Sequence, residues 1–110
     1  MRPLSVQPLL QLAGAQMASG NRDAAASSLR KAVEIQPNSL EAQRGLIMVE
    51  VAAKRYDVAM KAARDIQKQN PKSPAGFALE GDINVAQRNW DAAATAYRAA
   101  LKMVASAELA

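Results

Sequence analysis

Ala25, Ala59 and Ala93 recur at one constant step of about 34 residues, and other marks keep the same step. Pro37 and Pro71 are one such step apart, as are the junctions Gly20-Asn21-Arg22-Asp23, Lys54-Arg55-Tyr56-Asp57 and Arg88-Asn89-Trp90-Asp91. A period of that size is the length of one helix–turn–helix unit. No single unit of that size can bury its apolar face, so repetition requires the units to lean on one another and share a core.

The punctuation predicts six helices. Ser5 is placed to cap a first helix running to about Ser19, with Pro8 in its first turn, where a missing N–H costs little. Gly20-Asn21 reads as a turn, with Asn21 capping a second helix that ends before Pro37. Asn38 or Ser39 caps the third, with Glu41 placed to answer Asn38 as a capping box. That helix reaches about Ala53, and the fourth runs from Tyr56 to about Gln69. Ser73-Pro74 opens the fifth, which ends near Gln87, and Asn89 caps a sixth beginning at Trp90. Connections this short make consecutive helices antiparallel neighbours.

Apolar positions follow helical spacing in each unit: Leu9, Leu12 and Ala13, then Ala25, Leu29, Ala32 and Val33, and in the third unit Ala93, Tyr97, Ala100 and Leu101. The chain is 50% hydrophobic but only 4% aromatic. A core rich in alanine lets helices approach closely while gaining less transfer energy per residue.

Composition removes most chemistries. With no cysteine and no histidine among 110 residues, disulfides, thiol catalysis, Cys/His zinc sites and histidine general-base chemistry are excluded. Glu80 and Asp82 lie two apart, about 200° around a helix, and cannot act as a carboxylate pair. No glycine-rich phosphate loop follows a strand. The expectation is therefore a protein with no catalytic residues, no metal and no cofactor.

The net charge of +4 speaks to solubility rather than fold. Lys54, Arg55, Lys61, Arg64, Lys68 and Lys72 gather in the second unit, diluted by Glu50, Asp57 and Asp65. Phe77, Trp90 and Tyr97 sit at packing positions rather than interleaved with the cations for base stacking. A solvated face is expected, not a nucleic-acid surface. Gln7 and Gln11 interrupt any signal-like run, and no stretch approaches about 20 apolar residues, so this segment is not expected to insert in a membrane.

These residues resemble the tetratricopeptide repeat. Its signature positions fall on Leu9, Leu12, Ala25, Leu29, Ala32 and Pro37, on Leu46, Ala59, Ala63, Ile66 and Pro71, and on Phe77, Gly81, Ala93, Tyr97 and Ala100. The chain departs from the pattern at Ala13 and Ile47, where the family has its helix-contact glycine, at Glu80 for a leucine, and at Ala105 for the closing proline. The resemblance implies an all-α, right-handed solenoid of three antiparallel hairpins, with repeats at 6–39, 40–73 and 74–107 in one domain. More loosely, residues 73–82 are similar to repeats of bacterial envelope lipoproteins associated with exopolysaccharide export and exosortase systems. That likeness implies a spacer or self-association segment excised from a longer array, periplasmic in that case; otherwise the compartment, cytoplasmic or envelope, stays open.

What the family resemblance implies is a binding surface. The first helix of each pair would line a groove for a peptide or partner segment. Its lining would be Gln7, Leu10, Gly14 and Met17, then Glu41, Arg44, Met48 and Val51, then Ala75, Ala78, Asp82 and Val85. Apolar and methionine side chains would supply contact, with Arg44, Glu41 and Asp82 fixing register. The positions that clamp a chaperone's C-terminal carboxylate in one subclass hold Leu10, Gly14, Gly45, Ala75 and Leu79 here, so that role is not expected. At the far end, Tyr97, Leu101 and Val104 form an apolar stripe with no following helix, and homo-oligomerisation through terminal helices is the second expectation.

Overall fold

This structure, a computed structural model, describes residues 6–109, and side chains for residues 6–105. Among the described residues there are six helices and no strand: α1 (Gln7–Ala18), α2 (Arg22–Ile35), α3 (Leu40–Ala52), α4 (Tyr56–Gln69), α5 (Ala75–Ala86) and α6 (Trp90–Leu109).

The period is visible in the backbone of the turns. Gly20, Lys54 and Arg88 all adopt positive φ, at 82°, 63° and 63°. Each follows a helix end at which two N–H groups fold back onto terminal carbonyls. Gly20 and Asn21 donate to Met17 and Gln16, Lys54 and Arg55 to Val51 and Glu50, and Arg88 and Asn89 to Val85 and Asn84. The other loop repeats as well: Ser39 N–H donates to the Gln36 carbonyl and Ser73 N–H to the Asn70 carbonyl, each at 3.0 Å, with Pro37 and Pro71 next in line. Proline's fixed φ suits that turn position.

Caps fall close to expectation, with two differences. Asn21 accepts from the Ala24 N–H, and Ser39, not Asn38, caps α3 by accepting from the Ala42 N–H. The capping box from Asn38 to Glu41 therefore does not form: with Ser39 at the N-cap, the third helical position is Ala42, which has no carboxylate to reach back. Ser73 Oγ accepts from the Ala75 N–H at 3.2 Å while Pro74 already has helical dihedrals. The proposed cap Ser5 lies outside the described residues; α1 is preceded by Val6 at helical dihedrals, with no side-chain cap.

The helices group into two compact units, Met1–Arg55 and Tyr56–Ala110, a division that falls inside the second repeat. In the first unit α2 packs against both α1 and α3, and α1 touches α3. Ala13, Ala25, Ala26, Leu29 and Val49 form one core cluster, extended by Leu10, Met17 and Leu46. Val6, Ala32 and Ala42 form another, joined by Leu9 and Val33. Leu12 does not belong to either; it is 48% exposed, against the expectation that it shares a buried face with Leu9 and Ala13. Ala13 takes the buried place next to it because successive residues are rotated about 100° around the axis.

Glu50 also departs from its expected place on a solvated face. It is buried, held by Arg55 Nε at 3.0 Å and Arg30 Nη2 at 3.6 Å. A buried carboxylate needs such partners. The residues one period away on either side are polar too: Gln16 Oε1 accepts from Ser28 Oγ at 2.8 Å, and Asn84 Nδ2 donates to the Glu80 carbonyl at 3.1 Å.

In the second unit α5 packs against α4 and α6. Ala59, Ala63, Ile66, Leu79, Ile83, Ala93 and Ala96 are buried there. Gly81 lies under the Tyr97 ring so closely that an added methyl carbon would sit 2.5 Å from Cε1. Tyr97 donates its hydroxyl proton to Asp82 Oδ1 at 2.5 Å, and that bond, helped by desolvation and the carboxylate charge, raises its pKa from 10.0 to about 12. Trp90, by contrast, is not a packing residue: it opens α6 with 61% of its surface exposed.

Candidate functional site

The first unit contains a groove with a volume of about 250 Å³. Leu10, Gly14 and Met17 of α1 form one wall, Glu41, Gly45 and Met48 of α3 the other, and Ala13, Leu29 and Val49 the floor. Each wall has the same i, i+4, i+7 spacing, so each is one stripe of its helix. The floor is buried core, whereas Leu10 and Met17 are half-buried and Met48 exposed.

Two glycines open this space for different reasons. A methyl carbon built on Gly45 would come within 2.9 Å of Leu29 Cδ2, so Gly45 makes room for the floor. One built on Gly14 would meet nothing within 4 Å. Gly14 interrupts a helix without a packing requirement, at a cost of about 0.5–1 kcal/mol relative to alanine. The lining is apolar apart from one carboxylate, Glu41, at the start of α3. A volume below the roughly 300–1,000 Å³ usual for small-molecule sites suits one or two side chains rather than a bulky cofactor.

Of the residues expected to bind a peptide, the groove brings together Leu10, Met17, Glu41 and Met48, with Gly14 between the first two. Gln7, Arg44 and Val51 stand on the same helices outside its lining, the first two exposed. Asp82 and Val85 lie on α5 in the second unit, both exposed, and Asp82 is engaged by Tyr97. The groove also uses Ala13, Leu29, Gly45 and Val49, which the position-by-position reading did not assign to it. Their signal was available in the glycine and alanine spacing, but only as a packing signal.

Of the stripe expected to self-associate, Leu101 is 66% and Val104 40% exposed on α6, while Tyr97 is half-buried against Gly81. No group of three or more acidic, histidine or cysteine side chains able to hold a metal occurs among the described residues. No helix among them is long and apolar enough to cross a membrane.

A sequence profile for the tetratricopeptide repeat matches residues 16–83, and a second profile of the same description matches residues 79–110. Among solved structures, the chain is similar to MamA (41-end) from Desulfovibrio magneticus RS-1, with a TM-score of 0.67 and 19% identity over 90% of this chain. It is also similar to TTC0263, a thermophilic TPR protein of Thermus thermophilus, with a TM-score of 0.65 and 20% identity over 94% of this chain. The chain spans 56% of the length of each. At this identity both likenesses speak to fold alone. No curated protein matches in sequence.

Proposed function

The chain belongs to the tetratricopeptide-repeat family, and from that premise we propose that it is a protein-interaction scaffold whose groove between α1 and α3 takes a segment of a partner protein. The observation that carries this reading is Gly14, a helix-interior glycine that nothing in the chain's own packing requires. It keeps the α1 backbone bare at the middle of the groove, where an incoming side chain can approach. Leu10, Met17 and Met48 supply adaptable apolar walls. Glu41, the one charged residue in the lining, favours a basic residue beside the partner's apolar anchor. Arg44, on the exposed side of α3, assists register from outside the groove. On the second unit, Asp82 and Val85 of α5 are candidate partner contacts in their own right.

Burying one leucine-sized anchor gives about 1.5–3 kcal/mol, so a single groove of this size supports weak, exchangeable binding that further contacts would strengthen. The test is selection of peptides on the immobilised chain from a random library, followed by titration of the winners against Gly14→Leu. That variant fills the groove while replacing glycine by a better helix former. The expected result is enrichment of apolar residues flanked by a cation, and at least a tenfold loss of affinity in a Gly14→Leu protein that melts no lower than the original. Peptides that bind both proteins equally would overturn the assignment of the groove, and so would a library from which nothing is enriched.

A further inference from the structure

Both walls of the groove end in a methionine. Because α1 and α3 each run antiparallel to α2, their walls point the same way, and Met17 stands across from Met48 at the last position of each. Met17 packs against the core cluster that holds Val49, the residue after Met48. Met48 is 37% exposed, whereas Met17, Met60 and Met103, the other methionines with described side chains, are half-buried. The repeat does not call for a thioether at either place. Later steps of the period carry Met17 to Val51 and Val85, and the positions one period to either side of Met48 are Gly14 and Asp82. The chain has five methionines and no cysteine, so no thiol competes with these sulfurs for an oxidant.

From this, and resting on the groove proposed above, we infer that Met17 and Met48 form a modification site, where a hydroperoxide oxidises the thioethers to sulfoxides and so closes the groove to its partner. The sulfur lone pair takes one oxygen of the peroxide as the O–O bond breaks. The proton of that oxygen passes to the other, which leaves as water or alcohol; sulfur gives up two electrons and the peroxide takes both. A flexible apolar side chain becomes a polar, chiral one. The rest of the lining offers the new oxygen no hydrogen-bond donor: it is apolar except for Glu41, a carboxylate at the far end of its wall. An apolar anchor entering the groove then strips water from an oxygen that finds no other partner, which opposes binding. While the groove is empty the oxygen on exposed Met48 stays in water, so the change falls on binding rather than on the fold.

The test treats the chain with hydrogen peroxide and follows each methionine by mass spectrometry, using a fluorescein-labelled peptide from the selection described above as the binding probe. The expected result is sulfoxide forming first at Met48, more slowly when the peptide is bound. Once Met17 and Met48 both carry oxygen, affinity should fall about tenfold with helix content unchanged by circular dichroism. Methionine sulfoxide reductases for the two epimers should restore it. The double variant Met17→Leu, Met48→Leu keeps the volume of the walls, so it should bind the peptide before treatment and lose nothing after it. Three outcomes overturn the inference while leaving the groove in place: unchanged affinity with both sulfoxides formed, an equal loss in the double variant, or a loss of affinity that follows a loss of helix. A peptide that binds without slowing oxidation at Met48 overturns the groove itself, as does a selection that yields no peptide.

Discussion

The contact between α2 and α3 in the first unit and that between α4 and α5 in the second occupy equivalent places in the repeat, yet they are filled in opposite ways. In the first, Leu29 is the large residue and Gly45 yields to it. In the second, the same two positions are Ala63 and Leu79, with the large side chain moved to the other helix. Beside them, Val33 and Leu46 are replaced by Gln67 and Glu80, bridged by a hydrogen bond and joined by Arg64 at 3.7 Å. What repeats is therefore the summed volume and the helix approach, not the residue. A core filled to the density of a crystal allows such an exchange only when both partners change together.

The largest predicted effects break this equivalence at its glycines. A methyl on Gly76 would lie 2.8 Å from the Gln67 backbone nitrogen and 3.1 Å from the Ala63 carbonyl, atoms that move only if α4 and α5 separate. The equivalent residue of the first unit is Ala42, fully buried, so the first contact has room for a methyl that the second lacks. Gly76→Ala should cost about 1–3 kcal/mol despite the better helix former. Gly45→Ala meets only the far end of the Leu29 side chain and should stay within about 1 kcal/mol of the original. Urea denaturation of both variants checks the contrast; equal losses would mean that the two contacts are equally tight.

A smaller effect sharpens the same comparison at the hairpins. In α1 and α2 the pair is Ala13 with Leu29, whereas in α5 and α6 it is Gly81 with Tyr97. The tyrosine brings a hydroxyl that donates to Asp82, and no such bond is available to the leucine. Since its pKa rises from 10.0 to about 12 on folding, the stability it contributes is fully present below pH 10 and lost as pH rises through 12. Tyr97→Phe should lose about 0.5–1.5 kcal/mol at neutral pH. Titrating tyrosinate absorbance in a Tyr56→Phe background should show Tyr97 ionising near 12, and Asp82→Asn should bring it down toward 10. A midpoint unmoved by Asp82→Asn would remove the bond from the account.

The repeat was legible because its step is imposed by local chemistry, with turn prolines, short caps and small contact residues recurring in register. The groove was legible only in part. Translating one wall by a full period carries Leu10, Gly14 and Met17 to Arg44, Met48 and Val51, whereas α3 lines the groove with Glu41, Gly45 and Met48. The wall is offset by most of a turn, which leaves it about 60° around the axis, because the two helices must turn toward each other across the groove rather than in the same direction. A pure translation cannot contain that rotation. Glu50 escaped for a related reason: its partner Arg30 lies on the preceding helix, and a carboxylate is recognisable as buried only once the helix bearing its partner is in place.

The smallest effects concern the feature that both units share most closely, the left-handed residue after α1, α3 and α5. Only Gly20 adopts φ 82° without a Cβ penalty; Lys54 and Arg88 hold φ 63° with full side chains. A non-glycine residue there costs about 1–2 kcal/mol, part of which glycine gives back through the greater freedom of its unfolded chain. Lys54→Gly and Arg88→Gly should each stabilise by about 0.5–1 kcal/mol, and Gly20→Ala should lose a similar amount. Because the backbone bonds that close the three turns fall between 2.8 and 3.0 Å, the gains at residues 54 and 88 should match. Thermal melts of the single and double variants check this. A gain confined to one turn would show that the Lys54 or Arg88 side chain supplies a contact offsetting its strain, and that the two units stop their helices by different means.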